Sequence, residues 1–249
     1  MRFQLIPSLF GTNQDVAVDV ENTQEKQQNI VNSWEAKVSL FFLCFLCYYF
    51  HGRTEDNIMA IYNEFGHIAI DDARIDATCD AYFKWKDLNT YISNNARRGI
   101  NFPDTISEPM ACYALGLLWN KGDEVGDATN PRTGEKVELK ATSRFEGDLS
   151  SFGPRCSFDD LVFLRLNAYR NMLYIYDLHI NSEEFGQYPA NSKETIQDQK
   201  KQGRRPHVSL QRLFVESQGL LPDVIFDIRR CKVYTPDTAK YQELVEEYR

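Results

Sequence analysis

At 249 residues, with 43% apolar, 13% aromatic and 26% charged side chains, the chain has the composition of a folded globular protein, enough for one large domain or a core with a helical annex. Its formal net charge of −8 excludes nucleic-acid binding through bulk positive charge, though not through a local cationic patch. Six scattered cysteines and no opening signal peptide argue against a disulfide-stapled secreted scaffold and for free thiols in a reducing cytoplasm.

Residues 1–20 show little periodicity. From Asn22 to Phe50 the pattern suits one long helix, polar first and apolar later. Its last part, Leu40 to Phe50, falls short of the about 20 apolar residues that a membrane span needs, and it is flanked by Lys37, His51 and Arg53. It reads as a buried helix or a contact between subunits, with no membrane role. Cys44 and Cys47 form a C-x-x-C without a second pair at zinc spacing, which fits buried thiols. Further helices are expected at 54–65, 70–83 and 84–98. Residues 1–102 are therefore expected to be a mainly helical part that dimerises, clamps a ligand or simply packs.

The pattern changes after Phe102-Pro103. Ser107 is a good N-cap and Pro109 suits a first turn, so a helix is expected over 108–120. Two strands follow, at 124–129 and 136–142, around a turn carrying Asn130, Pro131 and Gly134. The runs 160–166 and 172–178 are nearly continuous in apolar residues, as strands buried on both faces are. Helices at 192–202 and 209–218 come next, the second closed by Gly219. A strand over 223–234 and a helix over 237–248 end the chain. Residues 103–249 thus read as an α/β (α+β) core, a central mixed sheet flanked by helices.

The strand Lys136 to Thr142 carries the chemistry. Side chains alternate along it, so Val137, Leu139 and Ala141 face a core while Glu138, Lys140 and Thr142 share the other face. If Thr129 pairs with Lys136 across the turn, Asp127 falls opposite Glu138, with Cβ atoms about 4.5–5.5 Å apart. Two carboxylates so close repel each other unless a cation lies between them, and a hard divalent ion such as Mg²⁺ with oxygen ligands resolves this. Such an ion can polarise a phosphodiester and acidify a bound water. Lys140 can stabilise charge growing at phosphorus, or position or deprotonate the water. The bland alternative is an amphipathic hairpin with a solvated charged face, since D-x₁₀-E-x-K is common by chance.

A helix, then a strand with Gly126-Asp127, then a strand with Glu138-Leu139-Lys140, then further strands, resembles the core of the PD-(D/E)xK nucleases. The segments ISEPMACYALG, GDATNPRTGEKVELKATS and DLSSFGPRCSFDDLVFLRL are similar to a small family of type II restriction endonucleases. The resemblance covers about residues 106–178. It implies a Mg²⁺-dependent, site-specific deoxyribonuclease of a restriction-modification system, acting on double-stranded DNA. It assigns metal binding and catalysis to Asp127, Glu138 and Lys140. Gly126 stands where the name-giving Pro would. The resemblance also implies a homodimer matching a palindrome, a protective DNA methyltransferase acting on the same site, and a bacterial or archaeal cytoplasm. A repair or recombination nuclease of the same fold, or a catalytically inactive DNA-binding protein, are the alternatives.

Other residues fill out this reading. Glu108, at a helix start, is either a third metal ligand or a favourable charge at a helix N-terminus. Asp148, Ser150, Ser151 and Phe152 suggest a loop near the cleaved phosphate, with Ser151 a DNA contact. Asp159 and Asp160 read as a turn before a strand. Lys200, Lys201, Arg204, Arg205 and His207 make the one strongly basic run, a candidate DNA contact. Arg97 and Arg98 are a weaker patch. His51, His67 and His179 are isolated in sequence, so a zinc hydrolase is not expected. Neither a phosphate-binding glycine loop nor a G-x-S-x-G elbow occurs.

Overall fold

A computed structural model describes residues 66–96, 98–120 and 126–246. The helices expected at 22–50 and 54–65, the C-x-x-C, His51, Arg97 and the first two residues of the strand expected at 124–129 lie outside the described residues.

Ten strands and six helices succeed one another among these residues. Eight strands form a mixed sheet, in the order β1 (His67–Ala69), β2 (Leu118–Asn120), β3 (Ala128–Thr129), β4 (Lys136–Thr142), β6 (Asp160–Asn167), β7 (Met172–Asp177), β9 (Val224–Asp227) and β10 (Lys232–Tyr234). Only β4 and β6 run parallel. A separate ribbon pairs β5 (Ser150–Ser151) with β8 (His207–Val208). The helices are α1 (Asp72–Asn95), α2 (Asp104–Leu115), α3 (Ser182–Gly186), α4 (Ile196–Lys201), the π-wound α5 (Gln211–Glu216) and α6 (Ala239–Glu246).

Alternation along the buried strands builds two cores, one on each face. Val162, Leu164 and Leu166 of β6 join Val137 and Leu139 of β4 under α1 and α2. Leu161 and Phe163 of the same strand turn the other way, toward Phe185, Ile196, Phe214 and Leu244 of α3 to α6. The result is the three-layer α/β arrangement expected, and Ala141 packs on the first core with Val137 and Leu139.

Several boundaries differ from the sequence expectation. The helices expected at 70–83 and 84–98 are one helix. The stripe Ile75, Cys79, Tyr82 and Trp85 runs through the expected break, with no glycine or proline to interrupt it. Ser107 is not an N-cap: α2 starts at Asp104, and the buried Ser107 hydroxyl donates back to the Pro103 carbonyl at 3.2 Å. That helix also stops early, because Gly116 takes φ +68° and the Leu117 N–H donates to the Cys112 carbonyl at 2.9 Å. Residues 118–120 then become β2. The single strand expected over 223–234 is a hairpin. The Asp227 carboxylate accepts the Arg229 and Arg230 N–H groups at 3.1 Å each, folding a turn between β9 and β10. Strands β1, β2, β5 and β8 and the short helix α3 had no sequence signal strong enough to single them out.

Candidate active site

The hairpin register is the one inferred from alternation: Thr129 pairs with Lys136 and Ala128 with Val137. Asn130 and Gly134 close the turn, the Gly134 N–H donating to the Asn130 carbonyl at 2.8 Å. One residue beyond the last β3 pair, Asp127 leaves the ladder and its Oδ2 accepts the Leu139 N–H at 2.8 Å. Gly126 sets this departure with φ +82°. Proline, fixed near −65°, cannot adopt that angle, which is a physical reason for glycine where the motif's proline would stand.

Lys140 is the hub. Its ammonium is bonded to Glu138 Oε1 and lies 3.7 Å from Asp127 Oδ2. It sits 5.6 Å from the centroid of the buried Phe152 ring. Burial lowers its pKa, but Glu138 and Asp127 more than offset this, so the net shift is upward and the group stays charged. Burial raises the Asp127 pKa, and Glu138 adds to it, against Lys140 and the Leu139 N–H, which lower it.

Glu108 enters from α2. The Trp119 indole of β2 donates to its Oε2 at 2.7 Å. Burial first, and the Asp127 charge second, push its pKa up to about 7. Asn120, next on β2, holds the approach to Asp127. Its amide donates to the Gly126 carbonyl and to Thr129 Oγ1 at 3.1 Å each, and its Oδ1 meets the His67 ring. His67, isolated in sequence, is therefore a structural partner.

These groups line one open cavity of about 810 Å³, with Asp104, Ser151, Cys156 and Arg205 also on its wall. Sequence reasoning did not find Trp119, Asn120 or Cys156. Trp119 and Asn120 come from β2 and Cys156 from the loop before β6, and no spacing links them to the hairpin motif. The Cys156 thiol is pushed up to about 12, by burial and then by Glu138, so it is neutral.

Of the basic run, the structure brings Arg205 to this cavity, and β8 sets His207 opposite Ser151. Lys200 instead donates to the Cys156 carbonyl at 2.7 Å. Arg204 is ion-paired with Glu194, and no contact places Lys201 at the cavity.

Three of the cavity's four carboxylates, Glu108, Asp127 and Glu138, gather around the Lys140 ammonium, and a hard cation with oxygen ligands would ease their mutual repulsion. With Lys140 between them they stand wider than a closed cage. Among the described residues the one trio of ligand groups whose atoms all lie within 4.8 Å of one another is Asp160, Asp177 and His179. None of those three lines the cavity. His179, isolated in sequence, has its Nδ1 3.1 Å from Asp177 Oδ1.

The family model described as Bsp6I restriction endonuclease matches residues 70–217. The chain belongs to the Bsp6I restriction endonuclease family. The match includes α1, well before the segment whose motifs suggested a nuclease, and runs past the basic run. The type II restriction enzyme Bsp6I of Bacillus sp. (strain RFL6) is 42% identical over 166 residues, 67% of this chain and 95% of that protein. No solved structure gives a significant match. In this member of the Bsp6I family, the matched span includes every residue lining the cavity around Lys140.

Proposed function

We propose that this chain is a type II restriction endonuclease that hydrolyses phosphodiester bonds of double-stranded DNA at a short recognition sequence, with Asp127, Glu138 and Lys140 as its chemical centre and Mg²⁺ as cofactor. The name of the 42% identical relative supports the activity. The observation that carries the site is the ammonium of Lys140 joined to Glu138 and close to Asp127, at the mouth of a hairpin that also faces Glu108.

A divalent ion bound there supplies Lewis acidity to the phosphate and an acidified water. Asp127 and Glu138 offer the oxygens that hold it, and Glu108 a third carboxylate once deprotonated. Lys140 keeps its proton beside two carboxylates, so its part is to set a fixed positive charge where the phosphorane oxygens become more negative. Arg205 and Ser151, on the same wall, are placed to donate to phosphate oxygens. Lys200, Lys201, Arg204 and His207 form the flank on which the duplex backbone continues.

Two copies related by a two-fold axis would cut both strands of a palindrome, with residues 1–102 contributing to dimerisation or to a clamp on the duplex. In a bacterial or archaeal cytoplasm such an enzyme requires a methyltransferase modifying the same site. The test is incubation of phage or plasmid DNA with and without Mg²⁺, comparing wild type with Glu138→Ala and Lys140→Met. Discrete fragments are expected from the wild type with Mg²⁺ alone. Both variants should still bind cleavable DNA in Ca²⁺ but cut it at least about 100-fold more slowly. Full cutting by both variants would remove this site from the reaction.

A further inference from the structure

Strand β4 does not end at the site; it leads out of it. Beyond Lys140 the chain runs through Thr142 into a loop, 143–149, that returns as β5. The loop is held from below and from its far end. The buried Arg165 guanidinium donates to the Phe145 carbonyl and to Tyr176 Oη at 3.2 Å, and it lies 4.5 Å from the centroid of the Phe145 ring. At the other end the Asp148 carboxylate accepts four hydrogen bonds: the Ser150 hydroxyl at 2.8 Å, the Ser209 hydroxyl at 2.7 Å, and the Leu210 and Gln211 N–H groups at 3.0 and 3.1 Å. Asp148 thereby ties the loop to the start of α5. Burying a guanidinium is costly, and here its bonds fix a loop, which is how a recognition element is preorganised before binding.

What this fixed loop presents is unusual for a surface. Leu149 is 71% exposed, and Tyr169, at the neighbouring β6–β7 turn, is 93% exposed. They are the two most exposed large hydrophobic side chains among the described residues. Beside them stand Arg144 and Arg212, exposed, and no ion pair among the described residues holds either guanidinium. All four line one open concavity of about 750 Å³. That concavity shares Arg144, Asp148 and Leu149 with a second one of about 730 Å³, which shares Asp104 with the catalytic cavity. Shared lining residues thus link the cavity of Lys140 to that of Arg212, through Asp104 and then through Arg144, Asp148 and Leu149. Glu146 is the one other acid on the outer concavity, since the Asp148 oxygens are already taken.

We infer that Arg144, Leu149, Tyr169 and Arg212 form the surface that reads DNA sequence in this chain. The inference rests on the nuclease reading above. Exposed arginines without ion pairs are the side chains that grip guanine bidentately in the major groove, and an apolar group beside them can meet a thymine methyl. The reach is right for a short site. Four residues of extended chain from Lys140 to Arg144 span at most about 13 Å, roughly four base pairs at 3.4 Å each. The bases read by the loop therefore lie next to the phosphate held in the catalytic cavity. The 200–205 run is a poorer reader, because Arg204 and Lys200 are already engaged within the fold.

The test starts from wild-type digestion of phage genomic DNA and sequencing of the fragment ends. Discrete ends define the site and establish the nuclease reading; random ends or none refute that reading before any variant is made. Two duplexes follow, one carrying the mapped site and one with the site scrambled, titrated in Ca²⁺ by fluorescence anisotropy. Arg144→Ala, Arg212→Ala and Arg144→Lys are expected to weaken binding of the site duplex about 10- to 100-fold each, with less than about threefold change for the scrambled duplex. Arg144→Lys keeps the charge and loses the fork, so it separates base reading from phosphate attraction. Tyr169→Ala should lower the same ratio. Ca²⁺ binding and the melting temperature should stay at wild-type values, because none of these side chains touches Glu108, Asp127 or Glu138. Parallel loss for both duplexes, or no loss for either, would overturn the assignment.

Discussion

Gly126 offers a sharp test of the site's architecture, because the sequence motif and the backbone demand opposite residues there. The motif would place proline before the first aspartate; the backbone needs φ +82°. A Cβ at this position meets nothing closer than the Val137 carbonyl at 3.7 Å, so Gly126→Ala suffers no steric clash. Its whole cost is conformational, about 1–2 kcal/mol for an L-residue in the left-handed region. At about 2–4 °C per kcal/mol for a domain of this size, the melting temperature should fall by about 2–8 °C. Gly126→Pro must instead swing φ to near −65° and pull Asp127 away from the Leu139 N–H. It should abolish cleavage and divalent-ion binding even if the chain still folds. Differential scanning fluorimetry and Ca²⁺ calorimetry on both variants are the assays. A proline variant with wild-type Ca²⁺ affinity would refute the argument that glycine places the aspartate.

Three further outcomes follow, two from Glu108 and one from Asp148. Glu108 has its pKa pushed to about 7 from 4.5 by burial and by Asp127, and a metal ligand must be deprotonated to bind. Ca²⁺ affinity should therefore rise as pH climbs through about 7, with proton release seen as buffer-dependent calorimetric enthalpy, and Glu108→Gln should flatten that profile; a profile unchanged in the variant would remove Glu108 from the ligand set. The metal-free protein should respond the other way. Its folded state holds the Glu108 proton to higher pH than the unfolded chain does, so this group's stabilising contribution is present below pH 4.5 and declines up to about 7. Asp148→Ala should cost about 1–2 kcal/mol by stripping the acceptor from the start of α5, whereas Asp148→Asn, which keeps one carbonyl oxygen, should lose less; equal melting temperatures for all three forms would deny Asp148 its anchoring role.

The hairpin was legible because its information is local. Alternation puts Val137 and Leu139 inward and Glu138 and Lys140 outward, and Asn130, Pro131 and Gly134 fix where the chain reverses. The buried strands β6 and β7 announced themselves by nearly continuous apolar runs. Helix α2 was misplaced by about four residues because Ser107 is a good cap in isolation, and only tertiary packing decides that it is buried inside the helix instead. The turn at Asp227 was missed because 223–234 holds no glycine or proline to mark a reversal, and the chain turns only where the Asp227 carboxylate captures two backbone N–H groups. Trp119, Asn120 and Arg205 reach the site from β2 and from the segment before β8, and no spacing along the chain encodes such an encounter.

The net charge of −8 then becomes informative. Among the described residues, acids such as Asp148 and Asp227 are spent on backbone N–H groups, and Glu194 holds Arg204. Along the linked cavities basic side chains match the acids in number: Arg98 and Arg144 line one with Asp104 and Asp148, Arg144 and Arg212 the next with Glu146 and Asp148, and Lys136, Arg155 and Arg205 stand beside Lys140 with four carboxylates at the site. On the reading proposed above, a duplex lying along these cavities would meet those cations. Binding should therefore be steeply salt-dependent, since each phosphate neutralised releases counterions, even though the chain as a whole carries the same sign of charge as its ligand.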